Sequence, residues 1–177
     1  MSYATRFYGG FALDRPLTRD QHRLLQIFLD SAHVQFDPAK IDYHKPKIAE
    51  YVDLLYKLDV GLGKDLTYFV AGRNPDPDIV KLWLPPKDVP GMWCEWKIGS
   101  SRRTVVWNGE EYFYDYVDWL GFLIQRFFKR WGYTLSGFVE WEGEDMSDKG
   151  WIEVQDNMMV VNQWWTTRTY DFSRYAE

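Results

Sequence analysis

The sequence predicts an α+β fold of ferredoxin-like type, a two-layer sandwich in which an antiparallel sheet carries two main helices on one face. Three observations lead there. Two apolar patterns of helical period are present, they alternate with strand-like runs in the order strand, helix, strand, strand, helix, strand, and a further alternating run adds a C-terminal hairpin strand. Residues 1–177 are expected to form a single domain with an insertion at about 36–91, between the first helix and the second strand, because no Gly/Ser-rich linker separates a second domain.

The first strand-like run is "TRFYGGFAL", broken by Gly9 and Gly10. Thr18 with Gln21 three residues later makes a capping box, and Leu24, Leu25, Phe28, Leu29 and Ala32 recur behind it as one apolar stripe. A second helix is expected from about Pro46 to Leu58, with Ile48, Val52, Leu55 and Leu58 on one side and Gly61 or Gly63 as its stop. "LTYFVA", residues 66–71, reads as a short strand between proline-rich loops.

A hairpin is expected from "MWCEWKI" through "GSSR" to "RTVVW". The longest helical pattern follows: Asn108 as cap, Glu111 three residues on, an apolar face of Phe113, Tyr116, Val117, Leu120, Leu123, Ile124, Phe127 and Phe128, and Gly132 as the stop. Three strands close the chain, "GFVEWEG", "WIEVQ" and "MMVVNQWW", the last two joined through Asp156-Asn157 as a two-residue turn.

Strand parity divides these residues between two faces. Val139, Trp141, Ile152, Val154, Met159 and Val161 should face the helices, while Phe138, Glu140, Glu142, Trp151, Glu153, Met158, Val160 and Trp164 face away. On the earlier hairpin, Cys94, Trp96 and Ile98 should point inward, and Trp93, Glu95 and Lys97 outward. The candidate binding surface is therefore Trp93, Glu95, Lys97, Glu140, Glu142, Trp151, Glu153 and Trp164, rings mixed with carboxylates in the manner of a recognition face.

Composition narrows the partner. With 10 Trp, 12 Tyr and 11 Phe in 177 residues, some rings must reach the surface. A net charge of -5 argues against duplex nucleic acid, whose binding draws on a surplus of Lys and Arg. Cys94 is the single cysteine, which excludes an internal disulfide and a Cys-based zinc site and suggests a reducing, cytoplasmic setting. Neither a signal pattern nor a membrane-length apolar run is expected.

Other constellations carry little chemistry. His22 and His33, placed on one helix, would lie about 16 Å apart, too far for one ion, and the three histidines read as surface or capping residues. "GLGKDL" lacks the third glycine of a dinucleotide loop, and Cys94 reads as a buried structural thiol. Glu144, Asp145 and Asp148 lack calcium-loop spacing and read as a solvated turn.

"MWCEW", "WNGEEYFYDYVDWLGFLI", "WGYTLSGFVEWEGED" and "DKGWIEVQDN", with "GGFALDRPLT" near the start, resemble a set of small, functionally unassigned proteins of bacteria and their phages. The likeness covers about residues 90–162 and transfers no catalytic residue. It implies a compact cytosolic protein, phage-encoded and acting inside its host.

The expectation is thus a non-catalytic cytosolic binder without cofactor or metal, acting through the mixed aromatic and acidic face. Its partner would be a small planar nucleotide-type ligand or a host protein such as a defence factor. The alternative is a small metal-dependent hydrolase using Glu140, Glu142 and Glu153.

Overall fold

The computed structural model describes residues 2–60, 66–163 and 166–176. It is a mixed α+β protein whose described residues hold a seven-stranded antiparallel sheet and three α-helices. The chain divides into two compact units, residues 1–16 with 95–177, and residues 17–94.

The first unit contains the sheet. Its strands are β1 (Thr5–Leu13), β4 (Trp96–Ile98), β5 (Thr104–Trp107), β6 (Leu135–Gly143), β7 (Lys149–Gln155), β8 (Met158–Gln163) and β9 (Thr166–Thr169), arranged in the order β4-β5-β1-β6-β7-β8-β9. In the β7–β8 hairpin Glu153 pairs with Val160 and Gln155 with Met158, the register a two-residue Asp156-Asn157 turn requires, and β6 pairs with β7 through Phe138 with Glu153 and Glu140 with Trp151. Asp156 and Asn157 both take positive φ, 50° and 68°, the backbone a tight two-residue hairpin turn requires.

β1 is continuous through its two glycines and pairs with β6 over its whole length. The two backbones approach closely there. A Cβ on Gly9 (φ +101°) would lie 2.4 Å from the Phe138 carbonyl oxygen, and one on Gly137 (φ +151°) 2.5 Å from that of Gly10. Glycine at both positions lets the ladder close.

The inner face buries Phe7, Phe11, Val105, Val139, Trp141, Ile152 and Val154. Helix α3 (Tyr116–Leu123) and a π-helical turn (Ile124–Phe128) follow β5 in the same unit. Phe7 is the hub of an aromatic cluster, with ring centroids 5.5 Å from Trp96, 5.8 Å from Phe113 and 4.9 Å from Tyr116. The Trp96 indole donates to the Tyr116 carbonyl at 2.9 Å, so this buried donor is satisfied. Burial, with a smaller contribution from the Asp148 charge, pushes the Tyr116 phenol well above its ordinary range. Phe172 and Tyr175 pack on Gly121 and Phe122, and a Cβ at Gly121 would fall 2.3 Å from the Phe172 ring. Contacts of this kind keep Trp119 through Leu123 buried without interruption.

In the second unit, α1 (Arg19–Leu29) begins with the expected capping box between Thr18 and Gln21, and Leu24, Leu25, Phe28 and Leu29 are buried. α2 (Pro46–Lys57) runs beside it, tied by Arg23 to Glu50 at 2.8 Å and buried through Tyr51, Leu54 and Leu55. Two short strands, β2 (Gln35–Phe36) and β3 (Val80–Leu82), form a separate antiparallel sheet over a core of Val34, Phe36, Leu66 and Phe69.

Several expectations are corrected. Residues 108–115 are not helical, because the Asn108 side chain accepts from the Glu110 N–H and donates to Glu95 while Gly109 takes φ +96°. Local turn chemistry outcompetes helix capping at this Asn-Gly pair. Residues 66–71 form a turn instead of a strand, with Leu66 at φ 57° and its carbonyl accepting from the Phe69 N–H, and still bury Leu66, Tyr68, Phe69 and Val70. His33 is no surface residue: it is 1% exposed and lies beyond the end of α1. The proposed stops Gly61 and Gly63 fall outside the described residues.

Candidate functional site

The candidate site is the outer face of the sheet, and its composition follows from the alternation of four strands. β1 contributes Arg6 and Tyr8, β6 Phe138, Glu140 and Glu142, β7 Lys149, Trp151 and Glu153, and β8 Met158, Val160 and Asn162. The burial pattern of β7, alternating from Gly150 inward to Trp151 outward and on to Gln155, shows the parity directly. Tyr8, Phe138 and Trp151 are 49%, 43% and 37% exposed.

Cross-strand pairing sets rings beside carboxylates. One row runs Tyr8, Glu140, Trp151, Asn162, and the next runs Phe138, Glu153, Val160. Directly paired side chains on such a ladder have Cβ atoms about 5 Å apart, close enough to act as one patch. Phe138 and Trp151 are diagonal neighbours with ring centroids 6.4 Å apart at 35°. A third row, Arg6, Glu142, Lys149, neutralises itself in part, since the Lys149 ammonium lies 3.3 Å from Glu142. At the turn end of the β7–β8 hairpin lies a shallow depression of about 420 Å³, lined by Glu153, Gln155, Asp156, Met158 and Val160.

Of the residues expected at the site, Glu140, Glu142, Trp151 and Glu153 are brought together on this face. Lys97 is exposed on β4, separated from β6 by two intervening strands, β5 and β1. Glu95 is corrected: it is 3% exposed, its carboxylate accepting from the Asn108 side chain and its carbonyl from the Asn108 N–H. The regular strand starts only at Trp96, so the period of two does not extend back to Glu95. Trp93 is half-buried in the 17–94 unit, where the Arg73 guanidinium sits 5.0 Å above its ring. Trp164 lies outside the described residues. Cys94, Trp96 and Ile98 are buried as expected.

Tyr8 and Arg6 are site residues that the sequence reading did not select. The signal was available, because Phe7, Phe11 and Leu13 alternate inward through "TRFYGGFAL" and leave Arg6 and Tyr8 on the other side.

The acidic loop between β6 and β7 is committed to structure. Asp148 accepts from the Trp141 indole at 3.0 Å and the Tyr3 hydroxyl at 2.9 Å, and Glu144 accepts from the Ala4 N–H at 2.8 Å. Asp145 accepts from the Ser147 N–H and hydroxyl, which hold its carboxyl below the usual range. Among the described residues no three His, Cys, Asp or Glu side chains converge in a way that could hold a metal ion. What remains chemically available on the outer face is a set of exposed rings with carboxylates between them, suited to contact and charge matching.

No helix among the described residues is long and apolar enough to cross a membrane. No protein-family model, curated protein or solved structure matches the chain.

Proposed function

We propose that this is a non-catalytic binding protein that recognises a basic surface of another protein through the outer face of its sheet. The observation that carries the reading is the exposure of Tyr8, Phe138 and Trp151 among Glu140 and Glu153. Exposed aromatic side chains supply the anchors of protein interfaces, and carboxylates steer a cationic partner. The depression beside Glu153 and Asp156 suits a lysine or arginine whose stem lies along Met158 and Val160. A nucleotide-type ligand could stack on Phe138 or Trp151, but its phosphates would meet Glu140 and Glu153 in place of cations. The hydrolase alternative gains nothing from the face, since Glu142 is engaged by Lys149.

The proposed setting is the cytosol, with a phage-encoded origin and a host protein as the target. The proposed architecture is a ferredoxin-like core of β1, α1, β4, β5, α3 and β6, supported by the strand order β4-β5-β1-β6 and by helices in the connections β1 to β4 and β5 to β6. An experimental structure with a different order of these four strands would overturn that architecture.

Capture from host lysate at low salt tests the function. The wild-type chain should retain a stoichiometric partner that is released by raised salt, and the Phe138→Ala/Trp151→Ala variant should not. A partner held equally by both forms, or no partner at all, overturns the proposal.

A further inference from the structure

A second surface lies in the 17–94 unit, and its charge is opposite to that of the sheet face. Lys81, Leu82, Trp83, Leu84, Pro85, Pro86 and Lys87 follow one another along the chain, starting within β3. Leu82, Trp83 and Leu84 are three consecutive exposed large apolar side chains, with Trp83 52% exposed. Such a run is disfavoured on a free surface unless something packs on it. Among the described residues β3 has a strand partner on one side only, and the two prolines that follow lack the N–H groups needed to extend the ladder.

Beside this run is a half-open cleft of about 330 Å³ lined by the apolar Phe36, Pro38, Leu66 and Pro86 and the polar Gln35, Lys81 and Lys87. Phe36 and Leu66 belong to the small core of the unit, so this part of the lining is fixed. Neither lysine forms an ion pair among the described residues, including with the neighbouring Asp88. In a chain of net charge -5, two unpaired ammonium groups flanking an apolar recess form a local site for an anion that carries an apolar body.

We propose that the Lys81/Lys87 cleft is a docking site for an extended acidic and apolar peptide segment of a partner protein. An aromatic or aliphatic side chain of the segment fills the cleft over Phe36, Leu66 and Pro86. Its flanking carboxylates pair with Lys81 and Lys87, and the next apolar residue packs on Trp83. A small organic anion would satisfy the lysines but leave Leu82, Trp83 and Leu84 uncovered, which favours a peptide. The open edge of β3 is the kind of edge to which an extended chain adds as a strand.

The test uses the full chain, ¹⁵N-labelled, with two short acetylated and amidated peptides as probes. One alternates Glu with Leu and Phe, and the other carries Lys in place of Glu. The acidic peptide should shift the Trp83 indole signal and the Lys81 and Lys87 amides, and its affinity should fall about tenfold or more in Lys81→Glu/Lys87→Glu. The Lys-containing peptide should bind that variant better than it binds the wild type. Trp83→Ser, which leaves both charges in place, should also weaken the acidic peptide, and a melting scan of each variant confirms folding. If the charge-reversed chain fails to fold, Lys81→Gln/Lys87→Gln must show the same loss. Equal binding of the two peptides to the wild type, shifts that map elsewhere, or benzoate matching the acidic peptide in affinity would overturn the proposal, the last by making the cleft a small-anion pocket.

Discussion

Protonating His33 should destabilise the protein by an amount that follows from its enclosure. The imidazole is buried beside Phe28, with ring centroids 4.5 Å apart. Burial pushes its pKa down to about 3 from an ordinary 6.5, against a smaller opposing contribution from the Phe28 backbone. The unfolded chain therefore takes up a proton that the folded chain refuses. Stability from this group is complete above about pH 6.5 and is lost as pH falls from there toward 3. At pH 5 the unfolded imidazole is protonated about thirtyfold in excess and the folded one hardly at all, which corresponds to a loss of about 2 kcal/mol. Urea unfolding of the wild type and of His33→Gln at pH 7 and pH 5 measures it. Asp14, Asp145 and Asp171, whose carboxyls are held low by hydrogen bonds, lose their contribution only around pH 4 and below, and do so in both proteins. The wild type should lose about 2 kcal/mol more than the variant over this interval. Equal losses would refute the enclosure of His33.

Parity in β7 gives a paired prediction. Ile152→Ala should cost about 2–5 kcal/mol in urea unfolding, as for other fully buried aliphatic truncations, whereas Trp151→Ala should change stability by no more than about 1 kcal/mol. Asp148→Ala should cost about 1–3 kcal/mol because it leaves the buried Trp141 indole N–H without its acceptor; an accompanying change in Trp emission reports the altered indole environment, and a neutral result would show that water replaces the carboxylate. Gly137→Ala should destabilise by roughly 2 kcal/mol or more, since both the positive φ and the approach to Gly10 oppose a side chain, and a melting temperature equal to that of the wild type would contradict the close pairing of β1 with β6.

The parts of the fold that were legible in the sequence are those set by short-range periodicity and turn chemistry. Val139, Trp141, Ile152, Val154, Met159 and Val161 declare themselves by a period of two, and Asp156-Asn157 fixes the register of the last four, on β7 and β8. Thr18 and Gln21 mark the start of α1 for the same reason, a local hydrogen-bond pattern. What depended on distant partners was not legible. Asp148 reads as a loop carboxylate until Tyr3, 145 positions away, folds against it. Asn108 looks like a helix cap, yet its side chain is claimed by Glu95, thirteen positions earlier. Residues 66–71 have the composition of a strand, but they meet their burial in a turn, without a sheet partner. The site shows the same division: Trp151 and Glu153 follow from alternation, while the place of Tyr8 opposite Glu140 needed the pairing of β1 with β6.

Hydroxyl-radical footprinting of the full chain, free and with the captured partner, tests the recognition face most directly. The free protein should be oxidised at Tyr8, Phe138, Trp151 and Met158 and spared at Trp96, Trp119 and Trp141, and the partner should protect the first group. A Trp151 that resists oxidation in the free chain, or one whose oxidation is unchanged by the partner, would contradict the account.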